Sequence, residues 1–358
     1  MLGKIQVLKR LYNNICSYRK KETKVSGLPL RLWVEPTNFC NLKCIMCPNA
    51  KEKPAKSGYM DMDLFKHIID EVSPYIYEVF LFFGGESLLH QDIVKMIKYA
   101  KDKKLRTVLH TNSTLLTAPL SEEIINSDLD EISLSLDGYT KEIYEKIRVN
   151  GDFEDTFNKI RDFLIIRKKL NKKKPYSIIQ NINFAAGFQK ETKILRESFV
   201  NRFKGALPDE FRVSFSHSLG GAMEENDNFH FTISKNGQYR PCIFPWFTSS
   251  ITWDGKVVPC CVDFKGTLEV GDITKEKLSD IWNNEKMITL RSRLINKDAL
   301  QNKVCGKCDY LYWEMPYDIP TAFIQAIIEG LYGRSLVRVV SFLKKGTKHV
   351  TGHGKNGK

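Results

Sequence analysis

Three cysteines stand in the run Cys40-Asn-Leu-Lys-Cys44-Ile-Met-Cys47. Three thiolates on one tight loop can hold three irons of a four-iron cluster and leave the fourth iron open to a substrate-like molecule. Zinc is the alternative, but a closed structural zinc site takes four ligands, so it needs a partner from elsewhere in the chain. A second set, Cys242, Cys260, Cys305 and Cys308, offers four thiolates, the last two as a CxxC pair. That spacing fits zinc as well as iron–sulfur. Cys16, in the N-terminal segment, reads as a free thiol, and Cys261 as a buried neighbour of Cys260. Nine cysteines grouped in this way indicate metal ligation in a reducing compartment rather than disulfides.

Such ligands need a scaffold. The first cluster follows directly on an extended run, 31–37 (RLWVEPT), and further extended runs lie at 76–83, 105–111, 130–136, 177–185 and 211–217. Helical patterns fall between them, near 61–72, 91–103, 119–127, 140–148 with 153–169, and 190–203. Strands alternating with helices imply βα units and a parallel sheet. Six units predict an α/β fold, a partial (β/α)6 barrel with its active face in the loops after the strands. The pattern breaks near 218, where LGGAMEENDN reads as a linker. Residues 229–315 are cysteine-bearing and turn-rich, with strands expected at 229–233, 249–253 and 256–259 and a helix near 275–293. The expected organisation is an N-terminal extension at 1–30, the barrel at 31–220, a cluster-binding domain at 229–315, and a helical extension with a frayed tail at 316–358.

The net charge of +13 sits at the ends: residues 1–31 and 330–358 each carry +7, and the body between is about −1. A nearly neutral body argues against nucleic acid as a partner of the core. No stretch is long and apolar enough for a clear membrane span, and none reads as a secretory signal, so a cytoplasmic location is expected. In 4–18, Ile5, Leu8, Tyr12 and Ile15 read as one apolar helical face, ringed by Lys4, Lys9, Arg10 and Arg19. The basic ends suit helices packed on the barrel, or helices lying on an anionic membrane surface. The second arrangement would suit a lipid-linked or membrane-proximal substrate.

Around the three-cysteine loop, EPTNFCNLKCIMC, the sequence resembles the radical S-adenosylmethionine (SAM) enzymes, whose CxxxCxxC signature follows the first barrel strand. FFGGES at 82–87 resembles their glycine–glycine–glutamate motif, with Ser87 where proline is usual. The resemblance implies that Gly84, Gly85 and Glu86 hold the amino group of the cofactor's methionine. HTNST at 110–114 resembles the TNG segment that includes Asn112, with Ser113 in place of glycine. SLSLDG at 133–138 resembles the fourth-strand motif, in which Ser135 faces the cofactor. Arg148 matches the arginine that pairs with the methionine carboxylate, a use suited to a guanidinium fork, and Met46 the side chain that backs the adenine.

In the C-terminal part, Cys242, twelve residues, Gly255, four residues, Cys260, then LxxIW and CxxC resemble the SPASM/twitch extension of radical enzymes. No cysteine follows Cys308, so the shorter, one-cluster form is implied, with Cys242, Cys260, Cys305 and Cys308 as its ligands. The cofactors implied are SAM, a SAM-binding 4Fe-4S cluster on Cys40, Cys44 and Cys47, and one auxiliary 4Fe-4S cluster. A flavodoxin- or ferredoxin-like protein would be the reductant. Reductive cleavage of SAM would give a 5′-deoxyadenosyl radical that takes hydrogen from a substrate carbon. With an auxiliary cluster to accept an electron, oxidation is the expected outcome, and epimerisation or peptide modification are alternatives. The one-cluster layout is similar to a dehydrogenase of an aminoglycoside cyclitol, and the first 30 residues are short and basic for a leader-peptide clamp. Both favour a small carbohydrate- or cyclitol-like substrate. A different class, a zinc-stapled binding protein with degenerate motifs, has Ser87 and Ser113 as its hints. No general base is readable: Glu35, His110 and His217 lie near strand ends, where structural or cofactor-binding roles are the simpler reading.

Overall fold

The computed structural model describes residues 3–52, 56–183, 193–223, 237–313, 315 and 319–333. The strand expected at 229–233, the second half of the linker and everything beyond Gly333 lie outside them. Six strands, β1 (Arg31–Val34), β2 (Glu78–Phe80), β3 (Arg106–Thr111), β4 (Glu131–Ser135), β5 (Tyr176–Asn183) and β6 (Glu210–Phe215), pair in parallel, each beside the one before it. The helices between them are α2 (Pro48–Lys51), α3 (Met62–Val72), α4 (Ile93–Asp102), α5 (Ala118–Ile125), α6 (Lys141–Ile147), α7 (Phe153–Lys169) and α8 (Lys193–Asn201). This is the α/β architecture that the alternation predicts.

Local chemistry explains the helix boundaries. Asp61 caps α3 by accepting from the Asp63 and Leu64 N–H groups, and Phe65, Ile68, Ile69 and Val72 bury its inner face. Asp152 caps α7, whose first turn carries Glu154 and Asp155 and whose last carries Arg167, Lys168 and Lys169, matching the helix dipole at both ends. At the strand starts a partly buried ion-pair chain runs from strand to strand. Glu78 pairs with both Arg31 and Arg106, and Arg106 also reaches Glu131.

The sheet does not end at β1. A strand of the cysteine-bearing part, β7 (Thr248–Ile251), preceded by α9 (Phe244–Phe247), pairs with it in parallel from Arg31↔Thr248 to Val34↔Ile251. The antiparallel strands β8 (Lys256–Val258) and β9 (Gly271–Asp272) follow, completing a nine-stranded sheet in the order β6-β5-β4-β3-β2-β1-β7-β8-β9. The helices α10 (Leu278–Ile281) and α11 (Glu285–Asn296) hold the residues 20–30 leader in place. Arg291, fully buried on α11, donates to the carbonyls of Thr23, Pro245 and Trp282, and Trp282 donates to Gly27 O.

The first helix, α1 (Lys4–Arg19), forms as expected, and Leu8 and Ile15 of its expected apolar face pack against the core, but the inward face is rotated from the one expected. Val7, Leu11 and Tyr18 are buried, while Ile5 and Tyr12 point outward. Polar residues decide this. Asn14 donates to Leu28 O and the Tyr18 hydroxyl to Pro241 O, so positions that a hydrophobicity pattern assigns to solvent find partners inside. The last described helix, α12 (Thr321–Tyr332), packs Phe323, Ile327 and Leu331 inward, with the Arg31 guanidinium over the Phe323 ring. Among the described residues no helix is long and apolar enough to cross a membrane.

Candidate active site

The three-cysteine loop leaves β1 through Glu35 and Pro36 and is pinned at both ends. Asn38 exchanges bonds with the Lys56 carbonyl and the Gly58 N–H, and the Thr37 hydroxyl donates to Gly58 O. Further on, the Lys43 and Ile45 N–H groups bond the carbonyls of Val149 and Ile147. That short ladder carries Arg148 to Cys44, with the guanidinium Nη1 4.0 Å from Sγ. The three thiols stand close enough for their charges to act on one another, Cys44 with both Cys40 and Cys47. Burial pushes the Cys44 thiol up to about 12, with Arg148 opposing. Binding iron there must therefore displace protons.

Gly84 and Gly85 bring their backbone against this loop. A Cβ on Gly85 would lie 2.3 Å from Thr37 O and 2.5 Å from Phe39 O, and one on Gly84 would lie 2.8 Å from Glu35 Oε1. Neither glycine is needed for a left-handed turn; both are needed for close approach. Glu86 is buried, and both of its carboxylate oxygens are engaged: Oε1 accepts from Leu88 N and Thr111 Oγ1, and Oε2 from Asn112 N. In this structure Glu86 ties the glycine loop to the end of β3. Asn112 in turn donates to Asn41 Oδ1 and lies 3.9 Å from Cys40 Sγ.

Arg148 is oriented by Asp137, a residue of the SLSLDG run to which the resemblance gives no role. Arg148 Nε donates to Asp137 Oδ2 at 2.8 Å and Nη2 lies 2.6 Å from the same oxygen, while Asp137 Oδ1 accepts from Ile182 N. Nη1 is thereby the guanidinium nitrogen turned to the cysteine loop. Ser135 Oγ and His110 Nε2 are 2.6 Å apart, and burial pulls the His110 imidazole down to about 4. Met46 packs among Ile147, Met223, Ile182 and Leu219. Cys40, Cys44, Cys47, Gly84, Gly85, Glu86, Asn112, Ser135 and Arg148 thus share the region where β1 to β4 end.

Glu35 was not readable as more than a strand-end acid. It is buried, accepts from Gly84 N at 3.0 Å and from Trp253 N at 3.1 Å, and burial raises its carboxyl to about 7. It therefore bridges the glycine loop and the β7–β8 turn. His217 accepts from Leu219 N and lies against Tyr310, a structural role.

The second thiol set gathers behind β8. Cys242 interacts electrostatically with Cys305 and Cys308, and Cys260 with Cys242 and Cys305. Asn302 Oδ1 accepts from Val304 N and Cys305 N. Asp309 clasps Ser218 through its N–H and both carboxylate oxygens, tying Cys308 to the chain that follows β6. Cys261 also interacts electrostatically with Cys242 and Cys260, and it packs with Trp33, Phe80, Phe82, Phe83 and Phe264. Among the described residues no three ligand-type side chains converge closely enough to hold one metal ion. A four-iron cluster asks for a wider spread, one thiolate per iron corner, and the two thiol sets, whose members interact electrostatically, fit that group.

Residues 34–166 match the Radical SAM superfamily, and residues 242–309 match SPASM, an iron–sulfur cluster-binding domain. An AdoMet-dependent heme synthase of Methanosarcina barkeri is 26% identical over 327 residues, covering 80% of this chain and 90% of that protein. An S-adenosyl-L-methionine-dependent 2-deoxy-scyllo-inosamine dehydrogenase of Niallia circulans is 23% identical over 282 residues, covering 77% and 91%. Among solved structures, BtrN in complex with AdoMet and 2-DOIA superposes with a TM-score of 0.55 at 19% identity, covering 82% of this chain and 98% of that one. Streptococcus suis SuiB bound to precursor peptide SuiA superposes with a TM-score of 0.60 at 15% identity, covering 87% and 76%; both likenesses are of fold. The cofactors are SAM, a 4Fe-4S cluster and an auxiliary cluster, which sets aside the zinc-stapled binding protein. The chain belongs to the radical SAM superfamily and carries a SPASM domain on the C-terminal side of its barrel.

Proposed function

We propose that this enzyme oxidises a small carbohydrate- or cyclitol-like substrate, with the auxiliary cluster accepting an electron from the substrate. One observation carries the reading: the four-thiol site is built into the barrel's own sheet. Strand β7 lies directly beside β1, which leads to the three-cysteine loop, and Glu35 bonds the SAM-motif loop and the β7–β8 turn at once. An electron acceptor held on the same sheet as the radical site suits net oxidation. The relative from Niallia circulans, a dehydrogenase of 2-deoxy-scyllo-inosamine, supports it.

When bound, the first cluster and SAM supply a radical able to take hydrogen from an unactivated carbon. This chain's residues do the positioning. Cys40, Cys44 and Cys47 hold the first cluster, and Cys242, Cys260, Cys305 and Cys308 the second. Arg148, held by Asp137, offers Nη1 to the methionine carboxylate. Gly84, Gly85 and Glu86 shape the loop for the methionine amino group, with Asn112, Ser135 and Met46 around the rest of the cofactor. Oxidation of an alcohol to a ketone removes a hydrogen atom from carbon, the hydroxyl proton and one electron, and the auxiliary cluster on Cys242, Cys260, Cys305 and Cys308 would supply the acceptor for that electron. A flavodoxin- or ferredoxin-like protein of the cytoplasm supplies the first electron.

The test is anaerobic turnover with candidate cyclitols and amino sugars, scored for 5′-deoxyadenosine. Deuterium should pass into it from one labelled carbon, and the product from unlabelled substrate should be two mass units lighter. A Cys308→Ala variant should still form 5′-deoxyadenosine and lose the ketone. Product of unchanged mass carrying solvent deuterium would replace oxidation by epimerisation.

A further inference from the structure

The outward stripe of α1 is unlike an ordinary solvated face. Ile5, Lys9, Tyr12 and Arg19 share one helical face with the half-buried Cys16 and are themselves exposed, Ile5 by 82% and Tyr12 by 67%. No acidic residue lies on the helix. At its start, Lys4 sits over the ring of Tyr332, 4.6 Å from the centroid, at the end of α12; that ring is itself 43% exposed. The 25 residues that follow Gly333 carry seven Lys or Arg and no acid.

Topology places this corner. A Cβ on Gly330 of α12 would meet Tyr77 Oη and Arg106, so α12 ends at the edge where the parallel strands start. Helix C-termini gather at the same edge. Lys101 and Lys174 share Asp130, Lys103 pairs with Asp70, and Arg167 with Asp209. Lys104, Lys169, Lys172 and Lys173 have no acidic partner among the described residues.

We propose that this edge, with the α1 stripe at its corner, is a docking surface for an anionic lipid bilayer. Basic side chains flanking exposed Ile and Tyr on a helix fit a headgroup layer over acyl chains. A nucleic acid would use the lysines alone and leave Ile5 and Tyr12 without a partner. The three-cysteine loop leaves the opposite edge of the sheet. A docked enzyme therefore opens its site away from the bilayer, towards a water-soluble substrate. This reverses the expectation that basic ends would suit a lipid-linked one.

The test is flotation of full-length, anaerobically reconstituted protein with vesicles of phosphatidylcholine alone or mixed with phosphatidylglycerol. Binding should require phosphatidylglycerol and fall as salt screens the surface. Lys9→Glu should weaken it roughly thirtyfold, at about fivefold per charge near the surface. Ile5→Ser with Tyr12→Ser should weaken it several-fold, and removal of 334–358 should weaken it further. Iron content and thermal midpoint, read on the same samples, should not move with the α1 substitutions. Equal partition into both vesicle types, α1 variants that float as the wild type does, or release of the protein from vesicles by duplex nucleic acid would each overturn the proposal.

Discussion

Glu35 shows what a single side chain contributes here. Its carboxyl lies in a desolvated position where only two backbone N–H groups favour the charge. With a folded value near 7 against an ordinary 4.5, the folded state binds the proton more tightly than the unfolded chain. Its contribution to stability is therefore full below about pH 4.5 and is lost as pH rises through about 7. Against Glu35→Gln, which cannot titrate, the wild type should lose stability across that window by on the order of 3 kcal/mol, read from denaturation of the metal-free protein at pH 5 and pH 7.5. Parallel behaviour of the two proteins would mean that the carboxyl is solvated. The two cysteine sets stood out in the sequence because thiols grouped at such spacings suit metal ligation, although for the second set spacing alone fits zinc as well as iron–sulfur. Glu35 and Asp137 did not, since their roles lie in bonds to distant parts of the chain: Glu35 meets Gly84 and Trp253, 49 and 218 residues away.

At the scale of elements, the turn after β3 departs from its family pattern at a measurable cost. Ser113 stands where the family carries glycine, and its φ is 69°, a left-handed conformation that costs a side chain roughly 1–2 kcal/mol. Its hydroxyl is buried with no hydrogen-bond partner among the described residues. Ser113→Gly should raise stability by about 1 kcal/mol, after allowing for the chain entropy that glycine forfeits, seen as a higher denaturation midpoint. An unchanged or lower midpoint would show that the serine is accommodated without strain. Strand and helix order was legible throughout the barrel because apolar periodicity fixes it. The facing of α1 was not, because Asn14 and Tyr18 turn inward for hydrogen bonds that no hydrophobic pattern encodes.

Across the whole molecule, barrel and auxiliary site share one sheet, and neither was legible as dependent on the other. The break in pattern near 218 suggested a linker between separable parts. Instead β1 lies between β2 and β7, and its Leu32 and Val34 are fully buried. A chain ending at residue 236 would leave one edge of β1 without a partner, and such edges recruit other chains. It should elute as aggregate on size exclusion, while the full chain does not; a monodisperse fragment would show that the barrel closes without β7. The same strand order has a consequence in time. Thr248 follows Arg31 by 217 residues, and ribosomes add about 5–20 residues per second. During synthesis the edge of β1 therefore waits roughly 10–40 s for the strand that covers it, longer than most domains need to fold. A cell making this enzyme carries that edge exposed for the interval, and extra chaperone at the ribosome should raise the yield of unaggregated chain.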